Sequence, residues 1–228
     1  MRKFENIQPE NVVSVKKSLD VLIDPNTRVE DYRNAFYILG LELGKILARE
    51  VIDINHDEMM LVCASEDVDW LAFGVETGLG KGKIPLSVFW NTRSTVYRDD
   101  KEIIEISPII KSYEEPIAVC KLLIVAKSII SSSCVVKTQL TRLIGKLKPE
   151  KIAILAPVMY KDGKPNLEKE FPAEVSNKFH FITFAVDDTR NVSGEVVPGI
   201  GGMIYPKLGL GDIEEKNHYI PEMVLKRI

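Results

Sequence analysis

The chain lacks most of the features that quickly announce a function. Its opening, MRKFENIQPE, has no apolar stretch of the kind a secretion signal needs, and no run further along approaches the length of a membrane span. A soluble, cytoplasmic protein is expected. Positive charge is not in excess. Thirty Lys and Arg against 33 Asp and Glu leave −3, which gives no support to a nucleic-acid or membrane-surface role. Cys63, Cys120 and Cys134 are the only cysteines; they show no metal spacing and cannot all pair. Each lies in or beside an apolar segment, so reduced, structural thiols are expected. His56, His180 and His218 are scattered and none pairs at metal spacing. Nothing resembles a nucleophile elbow or a zinc site. No repeat, low-complexity linker or break in composition divides the chain.

What is present is enough for a sizeable core. Of 228 residues, 45% are apolar and 28% charged, which suits one large domain or a domain with a small cap. Asp24-Pro25-Asn26 signals a turn, and Thr27 with Glu30 resembles a capping box. Tyr32, Phe36, Leu39, Leu43, Ile46 and Val51 then predict a long amphipathic helix. Strands are predicted at Met59–Ala64, Ile84–Trp90, Leu122–Val125, Ile152–Val158 and Phe179–Val186, with a helix from Asp67 to about Gly78. Residues 92–116 are polar, with charge clusters at 98–101 and at Glu114-Glu115. They are expected to form a mobile excursion with one short strand, Ile103–Ile106. Strands alternating with helices predict an α/β fold, a mainly parallel sheet with helices on both faces. Ligands of such sheets sit outside the carboxyl ends of the strands.

One stretch carries the functional question: KLLIVAKSIISSSCVVKTQLTRLIGKL, residues 121–147. A strand runs into a loop with Ser128, Ser131, Ser132 and Ser133, and then into a helix marked by Val136, Leu140, Leu143 and Leu147. Free N–H groups and the helix dipole make such a junction a place for phosphate, at Ser131–Cys134 above all. Yet this loop has no glycine, and Lys127 stands where such sites often place an acid.

Other motifs read as scaffolding. GLGKGK at 78–83 fails the nucleotide-loop spacing and lies between a helix and a strand, so it is read as a helix end and turn. FAVDDTRNVSGEVVPG at 184–199 cannot form a helix because of Pro198 and the glycines; Asp187 and Asp188 are strand-end carboxylates, either ligand contacts or solvated and capping groups. Trp70, Phe73 and Trp90 are read as packing residues.

Together, from about Thr27 to Asp212, these pieces resemble the uracil phosphoribosyltransferase family. TRVEDYRNAFYILGLELGKILARE resembles its first long helix, residues 122–136 its phosphoribosyl pyrophosphate loop, and FAVDDTRNVSGEVVPGIGG its strand-end Asp and base loop. The resemblance implies one phosphoribosyltransferase-like domain over 1–228, with a small hood from 1–26 and 187–228, in a homodimer of pyrimidine salvage. It implies a 5-phosphate at Ser128, Ser131, Ser132, Ser133 and Cys134, ribose beside Ala126 and Lys127, and pyrophosphate beside Glu66 and Arg93. The base falls at Val196, Gly201, Gly202 and Met203, near the strand-end Asp187. The sequence departs from the family where the chemistry lies. The loop Asp is Ala126, the two glycines are Ser132 and Ser133, and Glu66 stands by spacing to Gly74 where an Arg belongs, with Asp67 and Asp69 beside it. The base-loop Asp is Gly202, while Arg93 in NTRS matches the family's second arginine. Side chains at 132 and 133 restrict positive φ, and acids at 66 and 67 are expected to repel pyrophosphate. The expected function is therefore that of a nucleotide- or phosphate-binding relative with reduced or lost transferase activity, Mg2+ entering only if transfer survives. The alternative is a working enzyme that makes UMP from a base and phosphoribosyl pyrophosphate.

Overall fold

A computed structural model describes residues 1–98 and 102–228. The elements begin with β1 (Arg2–Phe4), α1 (Val12–Ile23), α2 (Val29–Glu50) and β2 (Met59–Ala64). After a one-turn 3-10 segment at Ser65–Asp67 and a π-helical turn at Val68–Ala72 come α3 (Phe73–Leu79), β3 (Leu86–Asn91), β4 (Ser94–Arg98), β5 (Glu102–Ile106) and β6 (Ile109–Glu114). The central motif is β7 (Leu122–Ala126), β8 (Ile129–Ile130) and α4 (Cys134–Leu147), followed by β9 (Lys151–Tyr160), α5 (Gly163–Lys169), α6 (Ala173–Ser176) and β10 (Phe179–Asp187). A ribbon of β11 (Thr189–Arg190) and β12 (Val196–Val197) precedes α7 (Ile204–Lys207), α8 (Ile213–His218) and α9 (Glu222–Leu225).

The main sheet has the order β1-β10-β9-β7-β2-β3-β6, with β8 added beside β9. The five inner strands are parallel, and the outer pairs β1/β10 and β3/β6 are antiparallel. This is the α/β class expected from the sequence. The pleat sends alternate residues to opposite faces. Met59, Leu61 and Cys63 of β2, with Leu122, Ile124 and Ala126 of β7, pack towards α1, α2 and α3. Met60 and Val62, with Leu123 and Val125, pack with Val136, Leu140 and Leu143 of α4 on the other face. Both faces being covered, these strands read as continuous apolar runs.

Several expectations change in detail. Thr27 does not cap α2: Arg28 occupies that position, and the Thr27 hydroxyl donates to the Val21 carbonyl instead, closing the turn after α1. The excursion holds three strands rather than one, because β6 is a sheet edge with half-exposed, polar positions and β4–β5 is a separate hairpin. The charge cluster read at 98–101 lies, beyond Arg98, outside the described residues. Val15, Leu19 and Leu22 of α1 are buried within the chain's own core. GLGKGK ends α3 as expected, with Gly80 at φ +65° and Gly82 at φ +78°.

The tightest packing is the crossing of α2 and α3. A Cβ at Gly40 would fall on the Leu71 carbonyl and one at Gly44 on the Val75 carbonyl; Gly74 and Gly78 face Tyr37 and Leu41 in the same way. Four glycines at i, i+4 on two helices thus let the backbones touch. Gly44→Ala is expected to cost about 1–3 kcal/mol by overpacking, whereas Gly145→Ala, where nothing lies within 4 Å of the added Cβ, should gain about 0.5–1 kcal/mol. Denaturant unfolding of the two variants checks the pair.

Candidate functional site

The parallel strands run in the order β10-β9-β7-β2-β3, so the connections leave β2 in one direction and β7 in the other. The crevice between β2 and β7 is a topological switch point, where ligands of open α/β sheets bind. The carboxyl ends of three strands meet there. Glu66 and Asp67 follow β2, Lys127 and Ser128 follow β7, and Asn91 ends β3 with Arg93 just beyond. A cleft of about 320 Å³ opens above them. Its walls include Ser131, Ser132, Arg190 and Glu195, and, at an apolar end, Val196, Ile200, Met203 and Ile204.

The crevice is bridged by a buried charge network. Lys127 Nζ donates to Asp67 Oδ2 at 2.6 Å, to Glu66 Oε1 at 3.2 Å and to Ser128 Oγ at 3.1 Å. An ammonium has three N–H donors, so all are used. The Ser128 N–H donates to Asp67 Oδ1 at 3.2 Å. Lys216 of α8, fully buried, donates to the Asn91 carbonyl at 2.7 Å and lies 3.7 Å from Glu66 Oε2. Two carboxylates and two ammoniums balance. Burial pushes the Glu66 carboxyl up, but Lys127 and Lys216 outweigh it and hold it below the usual range. Burial, with Glu66 alongside, raises Asp67 despite Lys127. Burial lowers Lys127, but the two acids more than reverse this. Burial and Glu66 together push the Tyr205 hydroxyl up to about 12.

The loop after β7 makes a left-handed turn into α4 without glycine. Ser133 takes φ +63°, a left-handed conformation costing roughly 1 kcal/mol for a residue with a Cβ. Its hydroxyl donates to the Gly163 carbonyl at 2.9 Å, which helps hold the turn. The side chain at 133, expected to restrict positive φ, does not prevent it; Ser132 has no positive φ. Among the described residues, the N–H groups of Ser131, Ser132 and Ser133 meet no protein acceptor.

The structure sorts the residues expected at the site. Glu66, Arg93, Lys127, Ser128, Ser131, Ser132, Val196, Gly202 and Met203 do line one cleft. Ser133 and Cys134 do not contribute side chains to it: the Ser133 hydroxyl turns to α5, and the Cys134 thiol, raised by burial and Glu105, donates to the Glu105 carbonyl. Ala126 is in the core facing the helices rather than beside a ribose. Lys127 has no donor left for a ligand. Gly201 packs against the end of α1, where an added Cβ would meet the Leu22 carbonyl. Asp187 is fully buried, held by both Arg2 nitrogens at 2.8 Å and by the Gly199 N–H at 2.9 Å; it anchors β1 to the base loop and touches no cleft. Asp188 pairs with the N-terminal amine. Asp69 also turns away, accepting from the Tyr219 hydroxyl and from the Glu222 and Met223 N–H groups of the C-terminal segment.

Sequence reasoning missed Lys216, Asn91, Tyr205 and Arg190. Arg190 stacks its guanidinium 4.2 Å over the Tyr160 ring at the cleft rim. Only Asn91, at the carboxyl end of a predicted strand, carried a positional signal. The others come from the C-terminal third, where no periodicity links residue to site.

No family model and no curated protein matches the chain. Among solved structures, the chain is similar to the AQ2163 protein from Aquifex aeolicus, at 16% identity, TM-score 0.65, covering 90% of this chain and 96% of that one. It is also similar to a hypothetical protein from Neisseria gonorrhoeae with bound ppGpp, at 12% identity and TM-score 0.45, covering 67% and 82%. A hypoxanthine phosphoribosyltransferase from Staphylococcus aureus matches at 14% identity and TM-score 0.39, covering 56% and 66%. The Aquifex likeness establishes a shared fold. None of these likenesses shows uracil specificity.

The network generates a stability prediction. Lys127→Met leaves two buried carboxylates short of a partner and is expected to cost about 3–5 kcal/mol. Adding Asp67→Asn should recover part of that loss. Chemical denaturation of the single and double variants measures the coupling.

Proposed function

We propose that the cleft binds a nucleotide or a related phosphate monoester, as a uracil-phosphoribosyltransferase-like protein whose transferase activity is reduced or absent. One observation supports the reading. The loop after β7 leaves N–H groups without a protein acceptor among the described residues, while the crevice beside it is closed by a charge-balanced protein network. The free N–H groups and the hydroxyls of Ser131 and Ser132, with the exposed Arg93 and Arg190, supply what one phosphate needs. The apolar end formed by Val196, Ile200, Gly202 and Met203 is suited to a planar base.

The reason transfer fails differs from simple repulsion. Glu66 and Asp67 are neutralised by Lys127 and Lys216 and present no net negative field. They nevertheless occupy the crevice with a charge-balanced set of side chains, and they add no cation to hold a pyrophosphate leaving group. Nor do these acids suit Mg2+: the lysines already balance their charge, and displacing Lys127 would strip buried charges of partners. No catalytic step is therefore assigned to a metal here.

With uracil, Mg2+ and phosphoribosyl pyrophosphate, pyrophosphate release is expected at background; turnover of about one per second or more, within the ordinary enzyme range, would establish a working transferase instead. Ala126→Asp should not restore transfer. It places a carboxylate in the helix-facing core, and a melting temperature unchanged from the parent protein would contradict that placement. In a thermal-shift panel, nucleoside monophosphates should raise the melting temperature more than free bases do, since a ligand that binds only the native state stabilises it.

A further inference from the structure

We propose that Glu66 is a ligand-binding residue whose Oε2 accepts a hydrogen bond from a neutral hydroxyl of a hydroxylated phosphate ester in the cleft. The inference rests on the phosphate-binding reading above and adds a contact to it. Glu66 lines the cleft and is 4% exposed. Its Oε1 is taken by Lys127. Its Oε2 is buried with no hydrogen-bond partner among the described residues, Lys216 Nζ at 3.7 Å being out of range. A buried carboxylate oxygen left in this state is costly, and native proteins seldom leave one so.

Charge decides what kind of donor fits. The four-residue network is already neutral, so an ammonium donor would leave a net positive charge in a buried crevice. A hydroxyl adds a donor without adding charge. The phosphate of the same molecule is accommodated by the loop amides of Ser131 and Ser132, which line the same cleft. The ligand class is therefore a phosphate monoester carrying free hydroxyls a few bonds from the phosphate, as in a pentose phosphate. The acceptor comes from the loop after β2; the loop after β7 has Ala126 in the core and Lys127 fully committed.

Titration calorimetry on the full chain tests this with inorganic phosphate, ribose 5-phosphate, 2,3-dideoxyribose 5-phosphate and ethanolamine phosphate. Ribose 5-phosphate should bind about tenfold or more tightly than the dideoxy compound, the difference expected for a hydrogen bond to a charged group. In Glu66→Gln that preference should shrink. Equal binding of the two sugars by the native protein, with phosphate still bound, would overturn the Glu66 assignment and leave the phosphate cleft standing. Tighter binding of ethanolamine phosphate than of ribose 5-phosphate would overturn the neutral donor. If neither inorganic phosphate nor ribose 5-phosphate binds at millimolar concentration, the phosphate-binding reading falls and this inference falls with it.

Discussion

The contact between Lys127 and the Glu66–Asp67 pair governs the site. It spans the one crevice where an open parallel sheet of this order offers room for a ligand, and it fills the floor of that crevice with protein. Desolvating four charges is expensive, and a buried pair of this kind adds little net stability over apolar packing. Its effect is to specify geometry. Once Lys127 is committed to three acceptors, the loop after β7 is tied to the loop after β2, and Ser128 is fixed by its own N–H to Asp67. The open space that remains is the upper cleft, whose lining includes serines and two arginines.

The network holds only because its supports are rigid. On one side, the glycine-lined crossing of α2 and α3 brings the two backbones into direct contact and sets where the loop after β2 emerges. The π turn at Val68–Ala72 lies between that crossing and the acids, the type of helical irregularity often found at functional sites. On the other side, the C-terminal segment closes the structure. Asp69 holds the start of α9, and Arg227 pairs with Glu76 and Glu115. Lys216 reaches inward from α8, whose start is capped by Asp212. The terminal residues are thus part of the site's electrostatics, although none of α8 or α9 belongs to the sheet.

The loop after β7 adopts a backbone geometry without the residue best suited to it. Glycine would adopt φ +63° without strain; Ser133 adopts it at a modest cost and gains a hydrogen bond to α5. The strand β8 pairs with β9 immediately before the turn and fixes the chain entering it. Among the described residues, the N–H groups of Ser131, Ser132 and Ser133 in this loop meet no protein acceptor.

Much of the fold was legible in the sequence. The apolar runs at 59–64, 122–125, 152–158 and 179–186 became central parallel strands, and the 3.6-residue pattern from Tyr32 onward became α2, because burial of side-chain area depends on local periodicity. The strand–loop–helix at 121–147 and the cleft positions of Ser128, Ser131, Ser132, Arg93 and Glu66 were legible for the same reason: they follow strand ends. Only the tertiary structure decided what those residues face. Ala126 turned to the core, Asp187 was claimed by Arg2, and the apparent repulsion at Glu66 and Asp67 was cancelled by Lys127, 60 residues away from Asp67, and by Lys216, still further along the chain. Charge pairing and desolvation depend on distance in space rather than on spacing along the chain, so the sequence set the framework while the fold determined which charges were left for a ligand.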